Sequence, residues 1–218
     1  MKFYVLLVVT CLSLAPCWAQ KFRFSTSLGT SRLHWGESQQ TLNTTAALQF
    51  QKPGKPTQLF GQLTMIGNMQ RTQLGRENVA FRGGKGEIGL NQFSKFGLFA
   101  SASVYSLTMA RKTSASQRDI LSDEKFSLHG LRAGLGVQTK GKIKTTLQGK
   151  VFQPLMQRTR TTWPGVEETT KLERQLGYQA LLSFRLPNWA IGIDYEHINY
   201  GKPYPSLQST SAQITYFF

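Results

Sequence analysis

The sequence predicts an all-β chain folded as one antiparallel up-and-down barrel of about ten strands, with eight as the competing count. Three observations carry that expectation. Apolar and polar residues alternate with period two through most of the chain, the mark of a sheet whose two faces meet different media. Turn residues punctuate the alternation, and the connections they mark are short and long in turn. No other architecture is signalled in the 218 residues: neither the Rossmann nor the P-loop glycine fingerprint occurs, no tandem repeat stands out, and no stretch after residue 20 nears the eighteen apolar residues of a membrane helix.

Residues 1–19 stand apart. Lys2 gives a positive start, Phe3 to Leu14 is almost unbroken apolar sequence, and small residues at Cys17 and Ala19 occupy the positions a signal peptidase reads. The expectation is an export signal cleaved after Ala19, with 20–218 as one barrel domain. A membrane anchor is the competing reading, but the apolar run is short for a bilayer. Leu14-Ala15-Pro16-Cys17 approximates a lipoprotein box, from which the proline before the cysteine departs. Cys11 and Cys17 are the only cysteines. The body therefore has no disulfide framework, thiol nucleophile or cysteine-based zinc site.

The strands follow in order. Phe22, Phe24 and Leu28 alternate with Arg23, Ser25 and Ser27. Leu42, Ala46, Leu48 and Phe50 alternate with Asn43, Thr45, Ala47 and Gln49. Leu59, Leu63 and Met65 share one parity, and Ile88 and Leu90 share another, opposite Glu87, Gly89 and Asn91. Gly83-Gly84 interrupts this strand and suggests a bulge or a close approach. Leu98, Ala100, Ala102 and Val104 oppose Phe99, Ser101, Ser103 and Tyr105. Leu131, Ala133, Leu135 and Val137 oppose Arg132, Gly134, Gly136 and Gln138. Ile143, Leu147 and Val151 oppose Lys144, Gln148 and Lys150. Leu176, Tyr178, Ala180, Leu182 and Phe184 lead to the turn Pro187-Asn188, and Trp189, Ile191, Ile193 and Tyr195 oppose Asp194 and Glu196. Short turns are expected near 52–56, 94–95, 140–142 and 187–188. Longer polar loops are expected near 35–40, 71–77, 110–124, 158–172 and 201–206.

The last strand is the clearest. Ala212, Ile214, Tyr216 and Phe218 alternate with polar Ser211, Gln213 and Thr215, and Phe218 ends the chain. This segment resembles the C-terminal strand of bacterial outer-membrane β-barrel proteins, a broad porin-like class of the Gram-negative cell envelope. The resemblance implies that Ile214, Tyr216 and Phe218 form the insertion signal. It also implies periplasmic chaperones and the barrel assembly machinery as partners during biogenesis, and outer-membrane lipid or lipopolysaccharide as surroundings. It places the short turns in the periplasm and the long loops outside. Closure follows physically, since in lipid every backbone donor needs a ladder partner.

A soluble barrel, such as a periplasmic binding protein, puts its apolar face inward. Here the polar parity carries Glu87, Arg132, Lys144, Lys150, Arg185, Asp194 and Glu196 at mid-strand, and an inside-out barrel accommodates them as lumen residues. Phe50, Phe93, Phe96, Phe184, Trp189 and Phe218 fall beside the short turns, and Trp35, Phe126, Tyr195 and Tyr200 near the long loops, as two interfacial girdles.

Lys and Arg number 26 against 11 acidic residues, a formal charge of +15. Three uses of this charge compete. Arg71, Arg76, Arg111, Lys112, Arg158 and Arg160 could meet lipopolysaccharide phosphates. Arg132, Lys144, Lys150 and Arg185 could line an anion-preferring lumen. More simply, the lumen cations pair with Glu87, Asp194 and Glu196, and the basic turns at Lys52, Lys55, Lys95, Lys140 and Lys142 are solvated. No nucleic-acid recognition fold is present, and no cofactor or metal-ligand spacing is found. His34, His129 and His197 map near outer strand ends, which raises a protease or lipid A-modifying enzyme. The paired aspartates and Asp–His pair of omptin-type proteases are not recovered, and His197 has the parity opposite to Asp194 and Glu196. The expected role is structural, surface-binding or that of a narrow channel, not catalytic.

Overall fold

The structure is a computed structural model that describes residues 22–35, 37–52, 54–68, 72–74, 77–114, 120–199 and 206–218. The segment expected to be an export signal, together with Arg71, Arg76 and Tyr200, lies outside the described residues. Among the described residues twelve strands run in order: β1 (Phe22–Trp35), β2 (Glu37–Gln51), β3 (Thr57–Asn68), β4 (Thr72–Leu74), β5 (Glu77–Phe93), β6 (Leu98–Ser114), β7 (Ile120–Gln138), β8 (Lys144–Trp163), β9 (Val166–Lys171), β10 (Gly177–Arg185), β11 (Trp189–Ile198) and β12 (Leu207–Phe217). Ten of them close one antiparallel barrel, β1-β2-β3-β5-β6-β7-β8-β10-β11-β12. β12 completes it by pairing with β1 from Ser25–Phe217 to His34–Gln208. The two short strands are extensions: β4 pairs with β5, and β9 pairs with Arg158–Trp163 of β8, on the edge that β10 takes along Lys144–Phe152.

The short turns fall where the sequence put them. Gly97 and Gly165 sit at turns with φ of 87° and 80°, a left-handed backbone that glycine adopts without steric cost. Four of the five long loops do not, and residues 201–205 of the fifth lie outside the described residues. Residues 110–124 are mostly strand, because β6 runs to Ser114 and β7 starts at Ile120; 158–171 form the β8–β9 hairpin; 37–40 already belong to β2. β5 keeps unbroken register with β3 and β6 across Gly83-Gly84, so there is no bulge there. The glycine permits a close approach, since a Cβ on Gly83 would lie 2.2 Å from Met109 Sδ.

The exterior of the short-turn half is apolar. Leu63, Met65, Ile88 and Leu135 are 66–76% exposed, which water would not favour over so continuous a surface. Further from the short turns the parity of hydrophobicity reverses while the strands continue. In β6, Leu98, Ala100, Ala102 and Val104 face out; then Tyr105, Leu107 and Met109 face in and are buried, with Thr108 and Lys112 outside. In β7 the change falls between inward Phe126 and Leu128 and outward Leu131. The same reversal separates outward Leu28 from inward Leu33, outward Met65 from inward Ile66, and outward Ile193 from inward Ile198. The short-turn half is thus built for lipid, and the far half is packed as a water-soluble barrel is. Lengths agree: β6, β7 and β8 have 17, 19 and 20 residues, against the ~9–11 that cross a bilayer.

β8 carries a bulge. Gly130 pairs with Pro154, but His129 pairs with Met156, leaving Leu155 unopposed. Proline within a sheet is confined to edges and bulges because it cannot donate to the ladder. Leu155 and Met156 both face out, and the inward parity passes from Phe152 to Gln157 and Thr159.

Candidate functional site: a charged layer across the lumen

Three layers fill the interior. At the far end lies the apolar core of Leu33, Ile66, Val79, Phe81, Leu107, Met109, Phe126, Leu128, Ile198 and Leu207. Leu172, from the segment between β9 and β10, joins this core, tied by its N–H to the Gln157 carbonyl at 3.0 Å. Toward the short turns lies a polar chamber of about 280 Å³, lined by Ser, Thr, Asn and Gln with Phe60, Phe93 and Phe99. Between them sits a charged layer.

Arg132, on β7, is its centre and only 3% exposed. Its guanidinium donates to Glu87 Oε2 at 3.3 Å, to Gln179 Oε1 at 3.1 Å and to Glu196 Oε1. It lies 3.5 Å from the Tyr105 ring centroid, a cation–π contact against the base of the apolar core. Glu87 on β5 also accepts from Lys150 at 2.7 Å, Ser103 at 2.7 Å and Gln62 at 2.9 Å. Glu196 on β11 accepts from Lys85 and from the Tyr105 hydroxyl at 2.9 Å. Asp194 accepts from Gln179 Nε2 at 2.8 Å. Buried carboxylates require such partners, because an unpaired buried charge is prohibitively costly. Lys85, Arg132 and Lys150 stand against Glu87, Asp194 and Glu196, so the layer is formally neutral.

The structure brings together Glu87, Arg132, Lys150, Asp194 and Glu196. Arg185 lines the chamber but lies apart, 3.8 Å from the Phe217 ring centroid. Lys144 is exposed at the first residue of β8, outside the layer. Lys85 was missed by the sequence reading, which treated 83–84 as an interruption; its parity with Glu87 was the available signal. In β12, Ile214 and Phe218 are exposed, Tyr216 stacks edge-on against Trp189, and the Phe218 N–H donates to the Phe24 carbonyl at 3.0 Å.

Other expected residues resolve differently. Phe126 is an interior residue at 0% exposure, and Phe93 lines the chamber, so neither belongs to an exterior girdle. Phe96, Phe184, Trp189 and Phe218 are exposed. At the far end Arg111 faces Glu124 at 3.6 Å, Lys112 faces Asp123 at 3.8 Å, and Arg160 pairs with Glu167, while Arg158 is exposed. His197 stacks on outward Tyr178 at 4.9 Å, away from Asp194 and Glu196. Among the described residues no group of three or more His, Cys, Asp or Glu side chains could hold a metal ion.

The charges that remain are unevenly placed. Arg23, Lys52, Lys55, Lys95, Lys140, Lys142, Lys144 and Arg185 gather at the short-turn end. No Asp or Glu occurs in residues 47–61, 89–103, 133–149, 179–193 or 212–218.

No family model and no curated protein matches the sequence. Solved structures do resemble it. The translocator domain of the autotransporter NalP from Neisseria meningitidis aligns with 91% of this chain and 88% of its own, at 13% identity and a TM-score of 0.55. The outer membrane protease OmpT from Escherichia coli aligns with 91% and 97%, at 10% identity and a TM-score of 0.45. Neisserial surface protein A aligns with 90% and 97%, at 12% and 0.42. The first likeness shows the fold, that of an outer-membrane β-barrel, in agreement with the closed sheet and its apolar belt.

Proposed function

We infer that the protein is a small integral barrel of a Gram-negative outer membrane whose lumen is sealed and whose role is exerted at its protruding outer end. The observation that carries this reading is the stacked interior. Leu107, Met109, Phe126 and Leu128 have no exposed surface, and the neutral charged layer lies directly beneath them. A sealed lumen supports a structural or surface-binding role over a diffusion pore. It also weakens the anion-preferring lumen, since Arg132 and Lys150 are occupied by Glu87 and Glu196. The protruding strands lift the β8–β9 hairpin away from the belt, with Trp163 42% exposed near its tip. Exposed aromatic residues on a rigid hairpin serve as contact anchors. Chaperones and the barrel assembly machinery remain partners in biogenesis on this reading, and lipopolysaccharide is the lipid beside the protruding half.

The experiment is a planar-bilayer recording of the refolded protein, paired with whole-cell binding by a variant lacking 161–168. The expected outcome is no discrete conductance, and surface adhesion lost in the hairpin variant while the barrel stays folded. Steady single-channel steps in the unaltered protein would overturn the sealed lumen and favour the narrow channel.

A further inference from the structure

The polar chamber beneath the charged layer carries different chemistry at its two ends. Asp194 stands at the inner end. Glu87 and Glu196 are taken up in ion pairs, whereas Asp194 forms none among the described residues and accepts a hydrogen bond from Gln179 Nε2. It is also the carboxylate that reaches the chamber lining. A carboxylate has about four acceptor sites, so Asp194 keeps sites for hydroxyl donors in the chamber.

The outer end is cationic. Arg185 lines the chamber and holds its guanidinium 3.8 Å from the Phe217 ring centroid. The charged neighbour that acts on it is Arg23, of like sign. Arg23 shares the inward face by its register with Gln49, another lining residue, and Lys144 stands opposite Arg185 on that same face. Residues 20–36 contain no Asp or Glu, and neither do the segments at the other short turns. Among the described residues, therefore, no carboxylate pairs with these cations. Two guanidinium groups beside each other without a counter-charge match the oxygens of a phosphate or carboxylate.

The space between the ends sets the size of an occupant. Leu181, Ser183 and Arg185 succeed one another along β10 on the lining face, and Leu181 is the register partner of Asp194. At the strand rise the two ends are roughly 13 Å apart. The chamber volume of about 280 Å³ lies just under the ~300–1,000 Å³ of drug-sized ligand sites. One sugar ring with a charged substituent fits that length and volume; an oligosaccharide does not. The walls answer the same chemistry, with amides and hydroxyls for ring hydroxyls and Phe60, Phe93 and Phe99 for an apolar ring face.

We propose that the chamber binds a monosaccharide bearing a phosphate or a carboxylate, its anionic group between Arg23 and Arg185 and a ring hydroxyl donating to Asp194. The site lies at the end opposite the protruding hairpin and goes beyond the role proposed there.

The test is titration calorimetry on the protein refolded in lauryl dimethylamine oxide, a detergent without sugar groups. Glucose 6-phosphate and glucuronate are titrated beside glucose and inorganic phosphate. At least one charged sugar should bind about tenfold or more tightly than glucose or inorganic phosphate, with weaker binding at high salt. Arg23→Gln and Arg185→Gln should each weaken that sugar by about tenfold or more. Asp194→Asn should weaken the sugar and leave the response to inorganic phosphate unchanged. Compact migration in cold detergent checks each fold, and Arg23 is exposed, so its variant tests the site even where Arg185→Gln does not refold. Absence of binding by both charged sugars overturns the proposal, as does inorganic phosphate binding as tightly as they do. Undiminished sugar binding in Arg23→Gln or in Asp194→Asn overturns it too. None of these results bears on the hairpin, whose deletion is read by adhesion.

Discussion

Arg132 is the residue on which the interior turns. It touches both buried glutamates, and it faces Tyr105 where the charged layer meets the apolar core. Arg132→Ala would strand Glu87 and Glu196 with one cation each, and breaking a buried pair in this way costs about 3–5 kcal/mol. Lys150→Ala removes one charge-assisted hydrogen bond from a side chain nearer the chamber, so about 1.5–3 kcal/mol is expected. Denaturant unfolding in detergent, followed by loss of the compact gel form, should rank the two in that order. The reverse order would place the weight of the layer on Lys150. Phe126→Ala, by emptying part of the fully buried core, should cost about 3–5 kcal/mol in the same assay. The parity of Arg132, Lys150, Asp194, Glu196 and Glu87 was legible in the sequence. Their partnership was not, because Lys85 and Glu196 lie 111 residues apart and meet only across a closed lumen.

At the scale of the element, the bulge in β8 decides what faces inward at the far end. Without it, the inward parity of Phe152 and Pro154 would continue to Met156, Arg158 and Arg160, driving two guanidinium groups against the apolar core. With Leu155 unopposed, Gln157 and Thr159 face in instead and are buried. Deleting Leu155 straightens the strand yet preserves that outcome, so the variant should fold and keep its compact form in cold detergent. Deleting Thr159 instead turns Arg160 inward if the bulge stays and Arg158 inward if the strand straightens, and an unpaired buried charge costs several kcal/mol, so this variant should fail to refold. Equal behaviour of the two deletions would show that parity beyond the bulge does not matter. Sequence reading assigned this stretch to a loop because arginine, threonine and glutamine dominate it. Polar composition marks a loop only where the residues leave the sheet; here they are the wet exterior of a strand whose other face is buried.

At the scale of the molecule, two solvents act on one barrel. The short-turn half meets hydrocarbon and turns its apolar parity outward; the far half meets water and turns it inward. A closed sheet whose strands pair along both edges and a packed far half should resist dodecyl sulfate until boiled, giving a mobility shift on heating in a membrane-fractionated preparation. A protein that runs identically before and after boiling would contradict the closed sheet. The sequence by itself determined an antiparallel barrel of about ten strands, with eight still in competition, the short turns and the outward face of the lipid half. Those are local properties, since period-two alternation records which medium each side chain meets. Only the tertiary structure decided where along each strand the apolar parity reverses, which inward charges meet, and that an apolar core fills the far end of the interior. Those depend on height in the barrel and on contacts between strands remote in sequence, and a change in the medium along a strand leaves its alternation intact while exchanging the meaning of the two faces.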